Sequence, residues 1–121
     1  MAGVMIVEDD AALREMLREA LEKRKYTVIA AADGREAIAK FRPSVVDLVI
    51  TDLLMPEEDG LKVIMKVKET KPDVKVIAIS GGGKAGPGSY LLIAHKLGAD
   101  QVFSKPFLSS ELVQKVKEII G

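Results

Sequence analysis

Four short apolar runs in this chain end in residues able to hold a cation or take part in phosphoryl transfer. Val4-Met5-Ile6-Val7 leads into Glu8, Asp9 and Asp10; Leu48-Val49-Ile50 leads into Thr51 and Asp52; Val76-Ile77-Ala78-Ile79 leads into Ser80; and Val102-Phe103 runs through Ser104 into Lys105-Pro106. If the runs are parallel strands of one sheet, carboxylates, a hydroxyl and an ammonium line one edge. Magnesium takes oxygen ligands and keeps several waters, so one or two carboxylates suffice to bind it. Carboxylates crowded together repel one another and hold protons more tightly unless a cation is present. A divalent cation removes that conflict and shields an incoming phosphoryl donor, so that a carboxylate oxygen can attack. Each residue also has a plainer role. Asp10 can cap a helix, with Asp9 favoured by the helix dipole. Asp52 can form a turn, Ser80 can cap or solvate a loop, and Lys105 can be a surface lysine. Their shared position at strand ends is what favours chemistry. Pro106 can hold a cis peptide bond and set the direction of Lys105.

The elements that must position these residues follow from periodicity. Strands are expected at Val4–Val7, Thr27–Ala30, Asp47–Thr51, Val74–Ile79 and Gln101–Ser104. Between them lie helical patterns. Ala12, Leu13, Met16, Leu17, Ala20 and Leu21 recur on one face, with Arg14, Arg18, Glu19, Glu22 and Lys23 on the other, including a favourable Glu19–Lys23 pair. Asp33-Gly34 breaks the second strand, and a helix from Arg35 to Phe41 stops before Pro43. Met55 to Gly60 reads as a turn-rich loop, Leu61 to Thr70 as a helix, and Ser89 as the N-cap of a helix that Gly98 ends. Ser109 or Ser110 can cap the last helix, with Leu112, Val113, Val116, Ile119 and Ile120 on its apolar face. Strict strand–helix alternation implies a parallel sheet with right-handed crossovers and helices on both faces. In such sheets ligands bind beyond the carboxyl ends of the strands, where all four polar endings fall.

Composition narrows the function classes. The chain has 121 residues, 48% of them hydrophobic and 4% aromatic, which suits one domain over residues 1–121 with an aliphatic core. Eighteen basic residues balance eighteen acidic ones, so no global field attracts nucleic acid. There is no cysteine, which rules out disulfides and thiolate metal sites. No apolar stretch has the length of a membrane span, and the start lacks a signal-peptide pattern. The expected location is the cytoplasm, with no output module after the last helix. The run Gly81-Gly82-Gly83-Lys84-Ala85-Gly86-Pro87-Gly88 lacks P-loop spacing, because Lys84 is followed by Ala85. It is expected to be a mobile loop. His95 has no partner of metal-binding type at helical spacing.

Val-Glu-Asp-Asp after the first strand, Val-Ile-Thr-Asp-Leu-Leu-Met-Pro-Glu-Glu-Asp-Gly in the middle, Ile-Ser after the fourth, and Leu-Gly-Ala-Asp-Gln-Val-Phe-Ser-Lys-Pro-Phe near the end together resemble a response-regulator receiver domain of the stand-alone, chemotaxis-regulator-like type. The resemblance covers essentially the whole chain. It implies a flavodoxin-like, doubly wound α/β fold: a five-stranded parallel sheet of order 2-1-3-4-5 with five helices. It also implies that Asp52 is the phosphoacceptor, and that Asp9, Glu8, Asp52 and the backbone carbonyl of Leu54 hold Mg2+, or Mn2+ in its place. Ser80 is implied as the switch hydroxyl and Lys105 as the lysine that pairs with the phosphoryl group. The implied donor is a sensor histidine kinase or a histidine phosphotransfer protein. The implied output is altered binding of a downstream protein through helix 4, strand 5 and helix 5, as a monomer or a phosphorylation-dependent homodimer, without nucleic acid or membrane. The chain departs from the pattern at Val102, where the family usually carries a switch aromatic, and in its long Gly-rich loop.

Rival readings make different demands. A hydrolase of the haloacid-dehalogenase type carries Asp-x-Asp after its first strand, whereas this chain has Glu8-Asp9-Asp10, and Leu54 stands two residues after Asp52. Such an enzyme would turn over phosphate esters steadily. A flavin carrier needs a hydroxyl-rich phosphate loop and flanking aromatics, and the chain has neither. A receiver used only for docking would not need the five residues of the site.

Overall fold

A computed structural model describes residues 2–55, 59–81 and 87–121. Ten elements alternate: β1 Gly3–Val7, α1 Ala11–Lys23, β2 Thr27–Ala31, α2 Gly34–Lys40, β3 Val46–Asp52, α3 Asp59–Thr70, β4 Lys75–Ser80, α4 Pro87–Leu97, β5 Gln101–Ser104 and α5 Ser109–Ile120. The strands form one parallel sheet in the order β2-β1-β3-β4-β5. This is the flavodoxin-like arrangement expected. No helix among the described residues is long and apolar enough to cross a membrane.

Strand alternation sorts the core into two layers. Val4 and Ile6 of β1, Leu48 and Ile50 of β3, and Ile77 and Ile79 of β4 pack with Leu17 and Leu21 of α1 and Leu112, Val113 and Val116 of α5. Met5, Val7, Val49, Val76 and Ala78 face the other way, onto Ala37 of α2, Val63, Ile64 and Val67 of α3, and Ala94 of α4. Burial on both faces is why the central strands read as unbroken apolar runs.

Helix ends show where sequence cues and structure part. Asp10 caps α1 as expected, accepting from the Ala12 and Leu13 amides. Asp33 caps α2 through the Glu36 amide, and Glu36 reaches back to the Ala32 amide at 2.6 Å. Gly98, at φ +111°, closes α4. Its amide bonds the His95 carbonyl and the Ala99 amide bonds the Ala94 carbonyl, the Schellman pattern. Lys25, at φ +72°, ends α1 in the same way, with Tyr26 N bonded to Leu21 O.

Three expectations need correction. Helix α4 begins at Pro87 rather than after Ser89, since proline suits a first turn whose N–H has no helical partner. Neither Ser109 nor Ser110 caps α5. Leu108 holds the cap position without a side-chain hydrogen bond, and Ser109 is already helical. On α1, Arg18 pairs with Glu15 and Glu22, in place of a Glu19–Lys23 pair. Residues Pro56 to Glu58 of the expected turn-rich loop, and residues 82–86 of the expected mobile loop, including Lys84, lie outside the described residues.

Candidate functional site

Register builds the site. Val7 of β1 pairs with Thr51 of β3, so the next residues, Glu8 and Asp52, emerge side by side at the carboxyl edge. Glu8 continues the Val4–Ile6 row, Asp52 the Leu48–Ile50 row, and Lys105 follows Phe103. All three therefore lie toward the α1 and α5 face. The Lys105 amide bonds the Ser80 carbonyl at 2.8 Å, which ties the β5 end to β4, and the Lys105–Pro106 peptide is cis.

The side chains converge. The Lys105 ammonium donates to Asp52 Oδ2 at 2.9 Å and stands 3.2 Å from Glu8 Oε1. Asp52 Oδ1 accepts from the Leu54 amide at 2.9 Å. Glu8 Oε2 accepts from the Asp10 amide at 3.1 Å. Ligand oxygens of Glu8, Asp9 and Asp52 all lie within 4.8 Å of one another. Glu8 and Asp52 are buried at 1% and 2% exposure, while Asp9 is exposed. One face of the cluster thus remains open, next to a cavity of about 480 Å³ lined by Asp10, Leu13, Lys105, Pro106 and Phe107.

The electrostatics are unbalanced. Burial is the main cause pushing the Glu8 carboxyl up from 4.5 to about 7; the Asp10 amide opposes the shift, Asp52 adds to it, and Lys105 opposes it. Burial also disfavours the charged Lys105, but its hydrogen bond and attraction to Asp52, with Glu8 behind, outweigh this and raise its pKa. Although Lys105 is near, no donor among the described residues is aligned on the buried Glu8 Oε1. An all-oxygen donor set with a buried carboxylate oxygen that meets Lys105 as an ion pair without an aligned hydrogen bond fits a hard divalent cation.

The structure therefore brings Glu8, Asp9, Asp52 and Lys105 together. Ser80 is fully buried at the end of β4, on the row of Val76 and Ala78, and its hydroxyl donates to the Gly81 carbonyl at 3.2 Å. Leu54 contributes its amide to Asp52. Val102 packs with the α3 and α4 layer. The neighbouring aromatic, Phe103, lies on the opposite face, edge-on to Phe107 with ring centroids 5.9 Å apart. No aromatic of β5 thus lies on the Ser80 side of the sheet.

Sequence reasoning missed Arg14. Its guanidinium donates from Nη1 to the Glu8 carbonyl at 2.8 Å, and no sequence cue separates it from the other polar-face residues of α1.

The chain is similar to response regulators and to a segment of a sensor kinase, CckA of Brucella abortus, with which it is 37% identical over 98% of this chain and 12% of that protein. It is 33% identical to the chemotaxis protein CheY of Thermotoga maritima over 96% of this chain and 95% of that protein. It is 32% identical to the transcriptional regulatory protein ResD of Bacillus subtilis over 97% of this chain. The chain spans about half the length of ResD and of several other curated regulators that it matches. The crystal structure of the response regulator TrrA from T. maritima in complex with Mg2+-BeF superposes with a TM-score of 0.82 at 32% identity, covering 99% of this chain and all of that one. Residues 4–117 match the model of the response regulator receiver domain, and the chain belongs to that family.

Proposed function

We propose that residues 1–121 act as a single-domain response regulator: Asp52 accepts a phosphoryl group from a sensor histidine kinase or a histidine phosphotransfer protein, and the phosphorylated chain changes its binding of a downstream protein. The observation that carries this reading is the Asp52 carboxylate itself. It is buried, fixed by the Leu54 amide and the Lys105 ammonium, and flanked by two further carboxylates.

In the transfer, an Asp52 oxygen forms the new P–O bond as the P–N bond of a phosphohistidine breaks. The electron pair returns to the imidazole, which takes up a proton. Lys105 moves its charge from Asp52 to a phosphoryl oxygen, and Ser80 turns its hydroxyl from the Gly81 carbonyl toward another. Glu8, Asp9 and Asp52, with the Leu54 carbonyl, would hold Mg2+ or Mn2+, which when bound neutralises the carboxylates and the incoming phosphoryl group. The cavity beside Lys105 admits the donor. Because Val102 is not aromatic and Phe103 faces away from Ser80, the output through α4, β5 and α5 runs without an aromatic swing. The chain is a switch that assists its own phosphorylation and hydrolysis rather than a turnover enzyme, and it works in the cytoplasm as a monomer or a phosphorylation-dependent homodimer.

Intact-mass measurement after incubation with Mg2+ and a small phosphodonor tests this. One added phosphoryl group is expected on the wild type, and none on Asp52→Asn or in the presence of a chelator. Equal labelling of Asp52→Asn would remove Asp52 from the role. Steady hydrolysis of a phosphate ester would point to the hydrolase instead.

A further inference from the structure

The Glu8–Asp9–Asp10 segment is pinned at nearly every peptide. The Glu8 amide bonds the Ala31 carbonyl of β2 at 3.0 Å, the Asp10 amide bonds Glu8 Oε2, and the Asp10 carboxylate caps α1. The Asp9 side chain differs, since it has no hydrogen-bond or ion-pair partner among the described residues. Its position in the cluster therefore depends on its backbone. The peptide plane leading into Asp9 includes the Glu8 carbonyl, and the side chain that reaches this carbonyl is Arg14, at 2.8 Å. Because the peptide is planar, holding that oxygen also fixes the direction in which Asp9 leaves the strand.

Arg14 is an electrostatically costly choice for this place. It lies one residue past the first three of α1, and helical side chains lean back toward the N-terminus. Its cation therefore stands near the positive end of the helix dipole and beside a cluster meant for another cation. Glu36 of α2 offsets part of this charge. Its carboxyl is held below the usual range by the Ala32 amide first, then by Lys40, with Arg14 contributing. A residue that breaks local electrostatic preference is expected where it has another task.

We propose that Arg14 is a positioning residue for the metal ligands, holding the Glu8–Asp9 peptide so that Asp9 joins Glu8 and Asp52. The inference rests on the metal-dependent reading of the site, and its sign separates it from simple charge. Removing a cation near a Mg2+ site should tighten Mg2+ binding by Coulomb attraction alone. Removing a positioning partner should weaken it, by roughly ten-fold for groups that orient metal ligands.

The test measures Mg2+ affinity of the full chain by titration calorimetry, together with the melting temperature in chelator. Arg14→Met should weaken Mg2+ binding by roughly ten-fold, and Arg14→Lys, which keeps a donor and the charge, should restore most of it. Arg14→Leu, which likewise has no donor, carries the same expectation as Arg14→Met should that variant not fold. Unchanged or tighter Mg2+ binding by the neutral variants overturns the proposal, and so does a fall in melting temperature in chelator with affinity unchanged. A wild type that binds no Mg2+ overturns the underlying reading instead.

Discussion

The sheet carries a polar cluster at each end, and the two are built on different principles. At the amino end, Asp47 Oδ2 accepts the Gly3 amide, while Lys71 donates to the Pro43 and Val46 carbonyls at 2.7 and 2.9 Å and stands 3.8 Å from Asp47 Oδ1. One acid meets one cation, and both are spent on backbone groups from distant parts of the chain. At the carboxyl end, one lysine serves Glu8 and Asp52, Asp9 has no side-chain partner among the described residues, and Glu8 Oε1 is buried without an aligned donor. The amino-end cluster is a closed staple. The carboxyl-end cluster is left short of positive charge, and on the proposed reading that shortfall is what a cation and an electrophile would meet.

Substitutions should separate the two ends cleanly. The largest effect is expected at Lys105. Lys105→Met leaves Glu8 and Asp52 buried without their shared cation, and phosphoryl uptake from a small donor should fall by at least ten-fold, on the order of one lost charge-assisted contact. Lys71→Met should leave that uptake unchanged, and a comparable loss at both ends would erase the distinction.

Next in size is pH. The folded chain holds the Glu8 proton more tightly than the unfolded chain does, its carboxyl being raised from 4.5 to about 7. The metal-free protein should therefore lose about 1–3 kcal/mol of stability as pH rises across that window. Denaturant titrations in chelator should show this slope in the wild type and its absence in Glu8→Gln. Mg2+ needs the carboxylate, so its affinity should weaken as pH falls below 7.

Lys71→Met should cost about 1–2 kcal/mol by orphaning the part-buried Val46 carbonyl, while water replaces the lysine at the exposed Pro43 carbonyl, read as a lower denaturation midpoint at unaltered Mg2+ affinity. The smallest effect is expected at Asp10→Ala, which removes the α1 cap at about 1 kcal/mol and leaves Mg2+ binding within a factor of about two, since Asp10 caps rather than ligates.

The strand ends were legible in the sequence because burial on both faces makes each central strand an apolar run, which Glu8, Asp52 and Ser80 interrupt at the edge, whereas Lys105 follows the half-buried edge strand β5 and was marked by the Lys105-Pro106 segment. The order of the strands came with the resemblance, since periodicity alone does not rank neighbours. Ser80 was placed at the right strand end, but its hydroxyl direction depends on alternation within β4 and was not readable. Arg14 was hidden because its role depends on the path of a long side chain back along α1. The Asp47–Lys71 staple was hidden for another reason: it joins residues whose separation only the folded topology closes. Helix starts at Pro87 and Ser109 shifted because backbone geometry, not the nearest hydroxyl, decided them.

The most direct measurement is the amide spectrum of the isotopically labelled chain with Mg2+, before and after addition of beryllofluoride, a mimic of the acyl phosphate. Shifts should concentrate at Glu8 to Asp10, Asp52 to Leu54, Ser80 and Lys105, leave Gly3, Asp47 and Lys71 unmoved, and vanish in Asp52→Asn. Shifts centred on the amino end, or persisting undiminished in Asp52→Asn, would contradict the assignment of Asp52 and its neighbours as the phosphoryl site.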